Sequence, residues 1–145
     1  MSIRRLEKSE SYELLDLWMR SFTHGNSFIE NDFWQKHYDI AKETYLNEKD
    51  NFVYTDDNGQ IIGFICVDST NSVRGVFVDP KHENRGIGTA LMNYVKDIYT
   101  ILRMNIYMKN KNTLNFATYH GFLIDGALRD PINGEIQYTM LWSKD

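Results

Sequence analysis

The stretch VFVDPKHENRGIGTALMNYV, residues 76–95, constrains the fold more than any other part of the chain. A run of β-formers stops at Pro80, which cannot donate to a sheet ladder. A short polar loop follows, and Gly86 and Gly88 then open an apolar pattern of period near 3.6, with Leu91, Val95 and Ile98 flanked by Met92 and Tyr99. Strand, loop and helix in immediate succession require a mixed α and β architecture. Backbone N–H groups at such a helix start lack intrahelical partners and meet the positive end of the helix dipole. They suit a phosphate or pyrophosphate, and the glycines permit positive φ and close backbone approach. Lys81, His82 and Arg85 add local positive charge to a chain whose formal net charge is −4. By spacing alone, a plain glycine turn ahead of a helix is an equally good reading.

Two familiar phosphate motifs fail here. A P-loop needs Lys and then Ser or Thr after its second glycine, whereas Thr89 follows Gly88 directly. The dinucleotide fingerprint needs a third glycine where Leu91 stands, and an acidic residue where Met108, Lys109 and Asn110 occur.

The surrounding pattern extends the α+β reading. A short strand, Ile3 to Leu6, precedes a helix near 10 to 22 that carries Leu14, Leu15, Trp18 and Phe22 at helical spacing. A loop from His24 to Ser27 leads to a second helix with Trp34, Tyr38, Ala41 and Tyr45, capped by Asn31 or Asp32. Phe52 to Tyr54, Ile61 to Val67 and Val73 to Val78 form a three-strand meander with turns at Asp57–Gly59 and Ser69–Ser72. The helix after Gly88 is expected to run as far as Leu102 by its period, although Leu102 to Met108 also reads as strand. Asn110 to His120 is helical, Phe122 to Ile124 resumes strand, and Ile136, Tyr138, Met140 and Trp142 alternate in a last strand after the Asp130–Gly134 turn.

At 145 residues, 42% hydrophobic and with two prolines, residues 1–145 are expected to form a single ordered domain. No run approaches the roughly 18 apolar residues of a membrane span, and the N-terminus lacks a signal-peptide pattern, so a soluble cytoplasmic protein is expected. The acidic balance argues against nucleic-acid binding. Cys66, the only cysteine, sits in the apolar run IIGFICV and reads as a buried strand residue rather than a nucleophile or metal ligand, and no metal is expected.

Two segments together resemble the GNAT N-acetyltransferase family. The family reads R/Q-x-x-G-x-G/A after its fourth strand, matched by Glu83-Asn84-Arg85-Gly86-Ile87-Gly88 behind Phe77-Val78-Asp79-Pro80. Its second segment, N-x-x-A-x-x-F-Y-x-x-x-G-F, aligns without gaps to residues 110–122, from Asn110 to Phe122. The resemblance covers nearly the whole chain and is strongest to small bacterial lysine-acetyltransferase-like members. It implies a mostly antiparallel twisted sheet of about seven strands flanked by about four helices. It also implies transfer of an acetyl group from acetyl-CoA to a primary amine: a protein lysine, an N-terminus or a small-molecule amine. The coenzyme pyrophosphate would rest on the amides of Asn84, Arg85, Gly86, Ile87, Gly88 and Thr89, and its pantetheine arm would pair along Phe77 and Val78. Asn110 would contact that arm and Phe116 would pack nearby. For Phe77, Val78 and Phe116 a plain core role stays open, and for Asn110 a helix cap. A monomer or a homodimer is compatible.

The sequence departs from the family in two places. Glu83 replaces the usual Arg or Gln, and its carboxylate is expected to turn to solvent, away from a pyrophosphate. Ala117 stands where many relatives place the tyrosine that protonates the leaving thiolate. Tyr119 lies about 200° round the helix and is no replacement, while His120, three positions on, is the nearest substitute acid. Loss of a positioned acid is worth about 10²–10⁴-fold, yet a thiol of pKa near ~8.5 leaves tolerably without one. Either another donor or none is used, or the alanine is an inactivating substitution, and a non-catalytic acyl-CoA-binding module is the rival reading. His24, Glu30 and Asp68 are candidate bases, and His24, Phe28 and Trp34 candidate acceptor-side residues.

Overall fold

The computed structural model describes residues 2–25, with side chains to 21, together with 42 and 50–145. Seven strands form one sheet in the order β1-β2-β3-β4-β5-β7-β6. They are β1 (Ser2–Arg5), β2 (Asp50–Thr55), β3 (Ile61–Val67), β4 (Ser72–Val78), β5 (Ile101–Tyr107), β6 (Leu123–Arg129) and β7 (Ile136–Ser143). Every pairing is antiparallel except β4 with β5. Three helices are described: α1 (Ser11–Gly25), α2 (Ile87–Ile98) and α3 (Lys111–Tyr119). The expected second helix around Trp34 to Tyr45 lies outside the described residues.

The central strand β3 is buried along its whole length, which is why IIGFICV reads as a continuous apolar run rather than an alternation. Its two faces feed two cores. Ile62, Ile65 and Val67 pack with Leu91, Met92 and Val95 of α2, and with Leu102, Phe122 and Met140. Ile61, Phe64 and Cys66 pack with Leu14, Leu17 and Trp18 of α1, and with Phe77. Each fully buried side chain such as Leu91 or Met92 contributes about 1.5–3 kcal/mol relative to exposure, enough to hold an amphipathic helix of 12 residues against the sheet.

Two boundaries differ from the sequence expectation. Helix α2 ends at Ile98 because Tyr99 adopts an extended conformation (φ −106, ψ 154), so Leu102 is a buried β5 residue and not the last turn of the helix. The strand expected over Phe122 to Ile124 begins at Leu123 and continues to Arg129. That extension is an outer strand exposed at nearly every position, so no burial pattern marks it.

The one parallel pairing matters most for function. Strands β4 and β5 are in register only at Ser72 with Arg103 and Val73 with Met104. Beyond that they diverge, and β4 runs on to Val78 paired with β3 alone. Since both strands run the same way, the gap opens at their C-terminal ends, where the connections to α2 and α3 begin.

Candidate active site at the open end of the sheet

Asp79 closes β4 and starts the loop. Its N–H donates to Ile62 O at 2.8 Å, so it faces β3, and the N–H of Val78, one residue earlier, faces the gap toward β5. The side chain caps the short 3-10 turn Pro80–His82 by accepting from the Lys81 N–H at 3.0 Å. Its other oxygen accepts from Arg20 Nη1 of α1 at 2.9 Å. Burial opposes ionisation of Asp79, but the Lys81 amide and the Arg20 guanidinium outweigh it and hold the carboxyl below its ordinary range.

The loop then turns through two left-handed residues, Asn84 (φ 63) and Gly86 (φ 79, ψ 11). Asparagine tolerates this conformation better than most side chains, and a methyl on Gly86 would meet nothing within 4 Å. Gly86 is the N-cap of α2, and its carbonyl takes the first intrahelical bond, from Ala90 at 3.0 Å. The amides of Ile87, Gly88 and Thr89 therefore have no intrahelical acceptor, and they point out of the helix start. Lys81, Glu83 and Arg85 are exposed, and Arg85 Nη1 lies 3.3 Å from His82 Nδ1. The exposure of Glu83 matches what its charge requires.

Helix α3 forms the opposite wall. A methyl built on Gly88 would lie 3.2 Å from Phe116 Cε1 and 3.8 Å from Val78 Cγ2, so residues from β4, α2 and α3 meet at this glycine. Asn110 is the N-cap of α3, its Oδ1 accepting from the Thr113 N–H at 3.1 Å, and it is 8% exposed. Phe77, by contrast, is a core residue: its ring packs on Phe64 at 4.8 Å and folds back over Gly75. On this strand Val78, not Phe77, presents its backbone to the gap.

The residues at the acid position are placed less favourably. Ala117 has no exposed surface and lies in the main core. Tyr119 is 80% exposed, consistent with its pointing away. His120 is 5% exposed, with Nε2 lying 3.2 Å from Thr89 Oγ1 and the ring 4.6 Å from Phe116. Burial and the nearby Lys96 push its pKa down, which favours the neutral imidazole near pH 7. Both features count against His120 as the acid.

Asp68 is far from this end. It precedes β4, which spans roughly 20 Å from Ser72 to Val78 at strand rise, and its carboxylate accepts from the Thr70 N–H and hydroxyl and from the Ser72 N–H. It is a turn-builder, and the expectation of a base role is corrected. It lines a separate hollow of about 320 Å³ with Asp50 and Tyr99, whose hydroxyl donates to Asp50. His24, Phe28, Glu30 and Trp34 lie outside the described side chains. Sequence reasoning missed Asp79 with Arg20, and Thr89 with His120, because partners 59 and 31 positions apart leave no local pattern.

A ligand with a pyrophosphate and an amide-bearing arm fits these residues: free amides and the dipole for the anion, and an open strand edge at Val78 for the arm. Among the described residues no helix is long and apolar enough to cross a membrane.

Comparison with known proteins bears on the same segments. The model of the acetyltransferase (GNAT) family matches residues 11–122. The peptidyl-lysine N-acetyltransferase YiaC of Escherichia coli is 35% identical over 129 residues, 88% of each chain. The peptidyl-lysine N-acetyltransferase YjaB of the same organism is 25% identical over 126 residues, 87% of this chain and 84% of that one. The solution structure of apo YjaB superposes with a TM-score of 0.84 at 22% identity, covering 97% and 96% of the two chains. The PaiA N-acetyltransferase of Thermoplasma acidophilum in complex with coenzyme A superposes at 0.78 with 16% identity, covering 98% of each. A match of this extent, spanning the glycine loop, the open sheet edge and the helix that faces them, means that the chain belongs to the GNAT family of acetyltransferases.

Proposed function

We propose that this chain moves an acetyl group from acetyl-CoA to a primary amine, with a lysine side chain of a protein or peptide as the first acceptor to test. The observation that carries the reading is the gap between β4 and β5, flanked by the free amides of Ile87, Gly88 and Thr89. When bound, acetyl-CoA supplies a thioester that the acceptor amine attacks directly, with the coenzyme thiol as leaving group. The amides at the start of α2, with Arg85 nearby, hold the anionic end. The edge of β4 orients the arm, and the Val78 N–H, facing the gap, is the donor placed to polarise the thioester carbonyl. Cys66 is fully buried in β3 and takes no part. The lysine preference follows the names of YiaC and YjaB, which this chain matches over 88% and 84% of their lengths.

Ala117 favours a second reading, a catalytically weak or inactive acyl-CoA-binding module. The two nearby candidate donors are poorly placed to replace the missing tyrosine: Tyr119 is 80% exposed and the His120 imidazole meets Thr89. Titration calorimetry with acetyl-CoA and CoA, followed by a thiol-release assay over lysine peptides, N-terminal peptides and small amines, separates the two. Binding with release supports the transferase, and binding without release on any amine supports the module. If neither coenzyme form binds, both readings fall.

A further inference from the structure

We propose that His120 is a positioning residue for the coenzyme: it holds Thr89 Oγ1 so that the Thr89 hydroxyl proton points at the pyrophosphate, beside the amides of Ile87, Gly88 and Thr89. The inference rests on the coenzyme reading above. Thr89 carries the only hydroxyl between Asn84 and Thr89. A threonine in a helical turn chooses between rotamers, one of which turns Oγ1 back onto a main-chain carbonyl. The imidazole Nε2 at 3.2 Å selects the rotamer that faces α3.

The imidazole is itself fixed. Phe116 packs against it at 4.6 Å, Tyr119 meets it edge-on at 5.1 Å, and it is 5% exposed. The main-chain carbonyl of His120 accepts from Lys96 Nζ of α2 at 2.9 Å, and Lys96 in turn lies over the Trp142 ring of β7. With Nε2–H donating, one lone pair of Oγ1 is occupied by the protein and the hydroxyl proton is left for an outside acceptor. The same contact ties the first turn of α2 to α3, the helix that carries Phe116 and is capped by Asn110. The contact gives His120 a task set by the atom it touches.

A double-mutant cycle on coenzyme A affinity, read by titration calorimetry, tests this, with thermal melts to show that each variant is folded. Thr89→Val and His120→Phe are each expected to weaken coenzyme A about tenfold, the scale of one hydrogen bond to a charged group. The double variant is expected to lose no more than either single one. His120→Gln, which keeps an N–H donor, is expected to recover most of the affinity. Should His120→Phe not fold, His120→Asn, too short to reach Thr89, replaces it with the same expected loss. Losses that multiply in the double variant, or affinity within about twofold of wild type in His120→Phe or its replacement His120→Asn, overturn the proposal. Wild-type protein that binds no coenzyme A overturns the coenzyme reading along with it, whereas normal wild-type binding with indifferent variants overturns this inference alone.

Discussion

Asp79 is the residue whose removal should reveal how the glycine loop before α2 is held. Its carboxylate makes two bonds of different kinds: a cap on the Lys81 N–H at 3.0 Å, and an ion pair with Arg20 at 2.9 Å. A side-chain cap is worth about 0.5–2 kcal/mol. The Asp79 side chain is 13% exposed but that of Arg20 is 43% exposed, so the ion pair is discounted to about 0.5–1 kcal/mol. Asp79→Asn keeps an acceptor for Lys81 and loses the charge, so it should cost about 0.5–1 kcal/mol. Asp79→Ala loses both and should cost about 1–3 kcal/mol, or roughly 1 M in the urea midpoint at an m-value near 2 kcal/mol/M. Coenzyme affinity should follow the cap, falling in the alanine variant and holding in the asparagine one. The pH dependence has a definite sign. The folded-state pKa of Asp79 is depressed, so its contribution is present above the unfolded value near ~3.9 and is lost as pH falls through the folded value. Wild type and Asp79→Asn should therefore converge in strong acid. If the asparagine variant loses as much stability as the alanine one at neutral pH, the ion pair carries the loop and the capping argument is wrong.

Other perturbations have equally definite outcomes. A methyl on Gly75 would lie 2.0 Å from Phe77 Cε2, a ring already pinned against Phe64, so Gly75→Ala should cost about 1–3 kcal/mol in denaturant unfolding. For His120, the unfolded chain binds the proton more readily, so stability is complete above about pH 6.5 and declines as pH falls through the folded value. The melting temperature should drop on going from about pH 7.5 to about 5.5, and His120→Gln should flatten that slope. Ala117→Tyr has to displace core neighbours and should lose about 1–3 kcal/mol, since Ala117 has no exposed surface. An unchanged melting temperature with faster thiol release would show instead that this position opens on the site.

Much of the fold was legible wherever burial imposes a period. The meander from Phe52 to Val78 and the last strand read correctly because their apolar residues must face a core. Leu102 misled because burial in β5 imitates the next turn of α2, and only the extended Tyr99 breaks the series. Gly126 and Ala127 are poor strand formers on an outer strand, held by pairing to β7 rather than by propensity, and Asp125 beside them is the extra residue of a bulge. In the site, the glycines and Asn110 were readable because turns and caps demand particular residue types. Asn84 was singled out only for its amide, and its left-handed conformation became apparent from the backbone. The packing of Phe116 on the Gly88 side had no local signature, since it joins the ends of two helices.

The divergence of β4 from β5 has a consequence for exchange with solvent. In a closed sheet the Val78 N–H would be tied into a ladder and its hydrogen would exchange slowly, whereas here that edge of the strand has no β5 partner. A cofactor arm lying along it would supply the missing rung, so occupancy should be readable as slowed deuterium uptake at the end of β4. It should also raise the melting temperature with coenzyme concentration, as any ligand selective for the folded state does. The sheet would then be a protein structure that its cofactor finishes.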